Sequence, residues 1–182
     1  PVAARVGEIL GMPVHAQAFS SEDIERVAAE DRSGRAAKLT RRLSTGATPA
    51  GMADHEIEAA GKAHARECLE FVESHAAEGG IIQGRNGAFI LRDRPNTLHV
   101  KLDGIAERRA ERAAELAGIP LGEAVTRQEL EDEVRVQISL QAFQWDPRDI
   151  EAYDAIVNTS FQDTEETAQF IAVMARVRGG LP

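Results

Sequence analysis

Apolar and polar positions along this chain switch between two periods, and the switches mark its elements. Val2, Val6, Ile9 and Leu10 recur at helical spacing, and Gly11 follows as a C-cap. Pro13 disfavours helix at Met12, so residues 12–15 read as a short extended piece. Ser20-Ser21-Glu22-Asp23 offers hydroxyl caps and first-turn acids to a helix reaching about Glu30. Residues 32–43 are polar and basic, with Lys38, Arg41 and Arg42 on what reads as a further helix, and residues 44–51 are a loop rich in Gly, Thr and Pro. A long helix over 54–77 carries an inner stripe of Ile57, Gly61, Ala65, Cys68, Phe71 and Val72 until Gly79-Gly80 ends it.

Ile81-Ile82-Gln83 is then a short apolar run, read as a buried strand, which ends in Gly84-Arg85-Asn86-Gly87 before a helical turn over 88–91. Residues 97–102 alternate and are rich in β-formers, which predicts a strand closed by Asp103-Gly104. A helix over 105–117 breaks at residues 118–122, and a second covers 123–143, with Thr126 and Glu129 at capping-box spacing inside it. Residues 153–159 form another strand. Asp163 and Glu166 are spaced as a capping box for a last helix, whose expected inner face is Thr167, Phe170, Ile171, Met174 and Val177. Strands alternating with helices predict βαβ units, hence an α/β fold with a parallel sheet flanked by helices. The hinged helix pair over 105–143 has the form of a flap.

With 182 residues, one domain spanning 1–182 is expected. The net charge of −9 argues against a partner such as duplex nucleic acid, which demands a basic face, but leaves room for a local cationic pocket for a small anion. The single cysteine, Cys68, permits no internal disulfide and fits a cytoplasmic setting. No apolar run is long enough to span a membrane.

Three groups of residues could carry chemistry. Arg85 lies between glycines at a strand end, where parallel sheets place their ligands; it reads either as a guanidinium fork for a phosphate or carboxylate, or as a structural partner of a helix acid. Arg108, Arg109 and Arg112 share one helix, with Arg127 and Arg135 across the hinge. They read either as a cationic lid over transferring phosphates or as a solvated face paired with Glu107, Glu111 and Glu115. His64, Cys68 and His75 invite a metal reading, but seven residues of helix separate Cys68 from His75, about 10 Å of rise, so no metal ligand is assigned. Ser44-Thr45-Gly46 does not make a phosphate loop, and the Gly-x-x-x-x-Gly-Lys-Ser/Thr pattern occurs nowhere in the sequence.

Taken in order, residues 81–87 with Ile90-Leu91, then Leu98-His99-Val100, the arginine helix, Trp145-Asp146-Pro147 and residues 153–160 resemble the cytidylate kinase-like family. Residues 4–13 resemble the helix that follows the phosphate loop there. The resemblance implies a nucleoside monophosphate kinase fold of three layers, with a five-stranded parallel sheet, an NMP-binding helical segment over 20–77 and a lid over 105–143. It implies transfer of the ATP γ-phosphoryl group to CMP or dCMP with Mg²⁺, so the expected partner is a small-molecule nucleotide. Carried over, Arg85 matches the monophosphate-binding arginine, with Asn86 beside it. Arg109 and Arg112 match the basic helix leading into the lid, Arg135 matches a lid arginine, and Arg41 falls in the NMP-binding region. The family's glycine-rich loop and its strand are expected upstream of Pro1. The chain departs from the family at Ala16 and Asn86, where aspartates are usual, and in a lid poorer in arginine around 133–137. These departures keep a second reading open: a non-catalytic relative that binds a nucleotide or a partner protein without turnover.

Overall fold

The computed structural model describes residues 1–16, 54–84 and 86–179. The basic segment with Arg41, the loop at 44–51, most of the 20–77 segment and Arg85 lie outside them. So do the side chains of Ile57, Gly61 and His64.

Helix α1 (Val2–Leu10) ends where Gly11 turns left-handed at φ 64°. The Met12 N–H then bonds back to the Gly7 carbonyl at 2.9 Å. Gly7 is required at this turn, because a Cβ there would lie 2.5 Å from Val14 Cγ2 and 2.9 Å from the Met12 oxygen. The chain therefore doubles back directly into β1 (Val14–Ala16). Helix α2 (Asp54–Glu78) leads into β2 (Ile81–Gln83), which runs parallel to β1 with Val14 opposite Ile81 and Ala16 opposite Gln83. On α2, Cys68 and Val72 are buried, as the expected stripe requires.

A four-residue helix, α3 (Gly87–Ile90), follows. Strand β3 (Val100–Asp103) is shorter than the alternation predicted and pairs in parallel with β4 (Ala155–Asn158), Asp103 standing opposite Asn158. Among the described residues the strands thus form two parallel pairs, β1–β2 and β3–β4. The crossover between β3 and β4 holds α4 (Ala106–Ala117) and α5 (Leu121–Phe143). Gly118, left-handed at φ 65°, ends α4, and Pro120 caps α5. Thr126 and Glu129 therefore open nothing. Thr126 lies in the second turn of α5, where its hydroxyl donates to the Gly122 carbonyl at 3.0 Å. An aromatic series ties this crossover down: Phe89 lies 5.5 Å from Phe143 and 5.7 Å from Trp145, and Trp145 lies 6.2 Å from Tyr153. Burial pushes the Tyr153 hydroxyl above its ordinary pKa while it donates to the Pro147 carbonyl.

The last helix, α6 (Thr164–Gly179), opens with the expected capping box: Glu166 N–H donates to Asp163 Oδ1 at 2.8 Å, and Asp163 N–H donates to Glu166 Oε2 at 3.1 Å. Its inner face differs from expectation. Thr167, Ala168 and Ala172 are buried, whereas Phe170 and Val177 are exposed. The reason is close packing on α1, whose buried residues are Val6 and Gly7. Small side chains on both helices let the backbones approach, so the larger apolar residues of α6 turn away. Arg5 reaches across to Glu165, and Arg176 donates to the Ile9 carbonyl at 3.3 Å. No described helix is long and apolar enough to cross a membrane.

Two outcomes follow for stability. Gly80 holds φ at +128°, and a Cβ there would stand 2.7 Å from the Pro13 carbonyl oxygen. Gly80→Ala should lower unfolding free energy by about 1–3 kcal/mol, read as a shifted urea midpoint at constant slope. The hydrogen bond from Arg5, joined by one from Gln169, holds the Glu165 carboxyl down to about 2 from 4.5. A depressed acid contributes stability above its unfolded pKa and loses it as pH falls through the folded one. The α1–α6 contact should therefore weaken between about pH 4.5 and 2, and Arg5→Ala should return the Glu165 carbon-13 titration to the ordinary glutamate range.

Candidate functional site

Parallel pairing brings the carboxyl ends of β3 and β4 to one side, and a polar junction forms there. Thr159 N–H and Thr159 Oγ1 both donate to the Asp103 carbonyl, at 2.8 and 2.9 Å. Gly104 N–H donates to Asp103 Oδ1 at 2.8 Å, and Ile105 N–H donates to Ser160 Oγ at 2.7 Å. A Cβ at Gly104 would stand 3.0 Å from Ser160 Oγ and 3.4 Å from Thr159 Oγ1, so glycine keeps this junction tight. Helix α4 starts here, which fixes where its arginines point.

Arg112 turns back onto the junction. Its Nη1 donates to the Thr159 carbonyl at 2.8 Å and its Nη2 to Thr159 Oγ1 at 3.1 Å. Arg109, one turn nearer the strand, reaches across to α5. Its Nη2 donates to Asp132 Oδ2 at 2.7 Å and its Nη1 to Asp132 Oδ1 at 3.4 Å, a two-pronged pairing. The hydrogen bond to Asp132 raises the Arg109 pKa against the opposing effect of burial. Arg109 Nε is buried and has no hydrogen-bond partner. Arg135, one turn further along α5, pairs with Glu131 at 3.0 Å and stands 3.7 Å from Asp132. Between the two helices lies an open cleft of about 220 Å³, lined by Arg109, Arg127 and Arg135 against Glu131 and Asp132. The structure therefore brings Arg109 and Arg135 together around one carboxylate and sends Arg112 to the strand ends.

Asn86 sits at the end of the β2 loop, left-handed at φ 64°, where it starts α3. It is buried, and its Oδ1 lies 2.7 Å from the Ser139 hydroxyl on α5. Ser139 Oγ also lies 3.0 Å from the Arg135 carbonyl, so one proton faces two acceptors while Asn86 Nδ2 has no partner. Turned end for end, the amide would donate to Ser139 Oγ and the serine proton would go to Arg135, which satisfies both donors. Either way, the loop after β2 is fastened to α5 one turn from Arg135. Arg85 and Arg41 lie outside the described residues. Cys68 is a buried free thiol, and no group of three or more His, Cys, Asp or Glu among the described residues could hold a metal ion.

Sequence reasoning missed Asp132, Ser139 and Thr159. Asp132 carried a signal in its place three residues before Arg135 on a helix face, whereas Ser139 is joined to Asn86 across 53 positions and carried none. Ser139→Ala should leave the Asn86 amide buried without a partner. Urea unfolding should show a loss of about 1–3 kcal/mol, more than the same change at an exposed serine costs.

Comparison with known proteins places these features. Over 132 residues the chain is 31% identical to a protein named uronate isomerase from Corynebacterium glutamicum; the match covers 72% of this chain and 26% of that protein, so the chain spans about a quarter of its length. A crystal structure of an uncharacterized protein from Eubacterium ventriosum shares the fold, with a TM-score of 0.65 at 19% identity over 97% of this chain and 90% of that one. The model of the cytidylate kinase-like family matches residues 4–161. A fold of parallel strand pairs with a two-helix crossover, and arginines gathered at the strand ends, accord with that match, and the chain belongs to the cytidylate kinase-like family.

Proposed function

We propose that this protein is a nucleoside monophosphate kinase of the cytidylate type, moving the ATP γ-phosphoryl group to CMP, dCMP or a similar nucleotide. Membership of the family supports a kinase-like, nucleotide-related role. The observation that carries the finer reading is the arginine cleft between α4 and α5. Three guanidiniums line it, one of them with a buried Nε–H that has no partner. Phosphoryl transfer asks a protein mainly for position and fixed positive charge, and guanidinium forks match phosphate oxygens. In this reading residues 105–143 are the lid and 20–77 the NMP-binding segment. Arg109 and Arg135 draw the polyphosphate into the cleft, and Arg112 holds the helix to the strand ends. Arg85, with Arg41, takes the acceptor phosphate, while buried Asn86 positions the loop that carries Arg85.

ATP supplies the phosphoryl group. The cleft's cations suit its phosphates, whereas no described carboxylate cluster suits Mg²⁺, so no step is derived through the metal. A cytoplasmic setting follows from the substrates proposed. Isomerase chemistry is not carried across from the Corynebacterium relative, because the match covers only 26% of that protein.

One observation favours the second reading, a relative that binds nucleotides without turnover: Asp132 already occupies the Arg109 fork. The two are separated by titrating the chain with each nucleoside monophosphate, with and without ATP, and following both heat and ADP release. The kinase reading expects ADP release with a cytidine monophosphate, reduced about 10²–10³-fold in kcat by Arg109→Gln. Binding without ADP release establishes the second reading, and no response to any nucleotide sinks both.

A further inference from the structure

Asp132 stands in an unusual place for a lid residue. It comes from α5, yet its carboxylate lies across the guanidinium of Arg109 on α4, in the fork that a phosphate oxygen pair would take. It also stands 3.7 Å from Arg135. Neither member of the Arg109–Asp132 pair is fully exposed, their side chains being 29% and 41% accessible. The pair closes the cleft that the proposed function depends on.

We propose that Asp132 is the specificity-determining residue of this cleft: an internal carboxylate that competes with incoming anions, so that single phosphates and carboxylates are refused and a polyphosphate chain is admitted. The inference rests on the reading of the cleft as an anion site. An incoming carboxylate or lone phosphate exchanges one two-pronged contact on Arg109 for another of the same kind and gains little. It must also outcompete a group held on the same fold, whose effective concentration is in the millimolar range for short connections. A polyphosphate differs because its successive charged groups can meet Arg109, Arg127 and Arg135 together, all of which line the one cleft. Only such a ligand makes enough contacts to displace Asp132 from Arg109 and Glu131 from Arg135. The two acids thus hold the arginines in place before the ligand arrives and raise the threshold that it must pass.

The test uses the whole chain, with inorganic phosphate and tripolyphosphate as probes, titrated calorimetrically at low salt. The wild type should bind tripolyphosphate and bind phosphate weakly. Asp132→Asn, which keeps the shape and removes the charge, should tighten phosphate about tenfold and tripolyphosphate by less, so that the preference narrows. Asp132→Ser is the second charge-removing variant, and circular dichroism checks the fold of each. Unchanged phosphate affinity in a folded variant overturns the proposal, and so does an equal gain for both anions, which would make Asp132 a plain background charge. Wild-type binding of tripolyphosphate with an unaltered preference removes the role of Asp132 alone. Silence of wild type and variants towards both anions removes the anion reading of the cleft, and this inference with it.

Discussion

Parallel pairing of β3 with β4 is the constraint on which the site depends. Two parallel strands cannot be joined by a tight turn, so a crossover must carry the chain back, and here α4 and α5 do so. The register sets Asp103 against Asn158, which brings Thr159 and Ser160 beside Asp103 and Gly104. Everything at the strand ends follows from that neighbourhood. Thr159 satisfies the Asp103 carbonyl, Ser160 satisfies the first backbone donor of the crossover, and Arg112 returns to the Thr159 carbonyl. Arg109 is left facing α5 because Arg112, three residues on, is committed to the sheet.

A chain with a net charge of −9 thus builds a local cationic cleft by holding its arginines between carboxylates. An arginine without an anion beside it would repel its neighbours across the α4–α5 gap, and the helices would separate. Asp132 and Glu131 remove that repulsion. They also make the resting cleft a nearly neutral one, whose positive character emerges only when a stronger anion displaces them. The surface pairs of Arg108 with Glu111 and Arg127 with Glu123 are of another kind. They are one-turn helix pairs in water, worth a few tenths of a kcal/mol each, and they do not join elements.

The helices were legible in the sequence because their period and their stops are local. Gly11, Gly118 and the Asp163–Glu166 box sit where the pattern puts them. The strands were legible as places but not as lengths, since a run such as 97–102 alternates beyond the point where a partner is available. The inner face of α6 was misread for a physical reason. Large apolar residues mark a buried face when the neighbour stands at ordinary distance, but α1 comes close, and then Ala168 and Ala172 are what can be buried. The arginines of the site could be gathered by eye, being on two adjacent helices. Their division of labour could not, because it depends on Asp132 and Thr159, which stand 23 and 47 residues from their partners.

The link between Asn86 and Ser139 gives the two halves of the proposed site a common reference. Asn86 is one of the few non-glycine residues with a positive φ, a conformation asparagine tolerates better than most side chains. The loop after β2 is therefore bent at a position that costs backbone energy and is then pinned by a buried hydrogen bond to α5. An aspartate there, as in related kinases, would accept from Ser139 but could not donate. An asparagine can do either, and its amide lets the Ser139 proton serve the Arg135 carbonyl. The helix turn carrying Arg135 and the loop carrying Arg85 then share one hydrogen-bonded contact, so a displacement of α5 large enough to open the cleft must also strain or break the hold on the loop. Acceptor and lid are coupled in this chain by a serine hydroxyl and an amide, with no charged group between them.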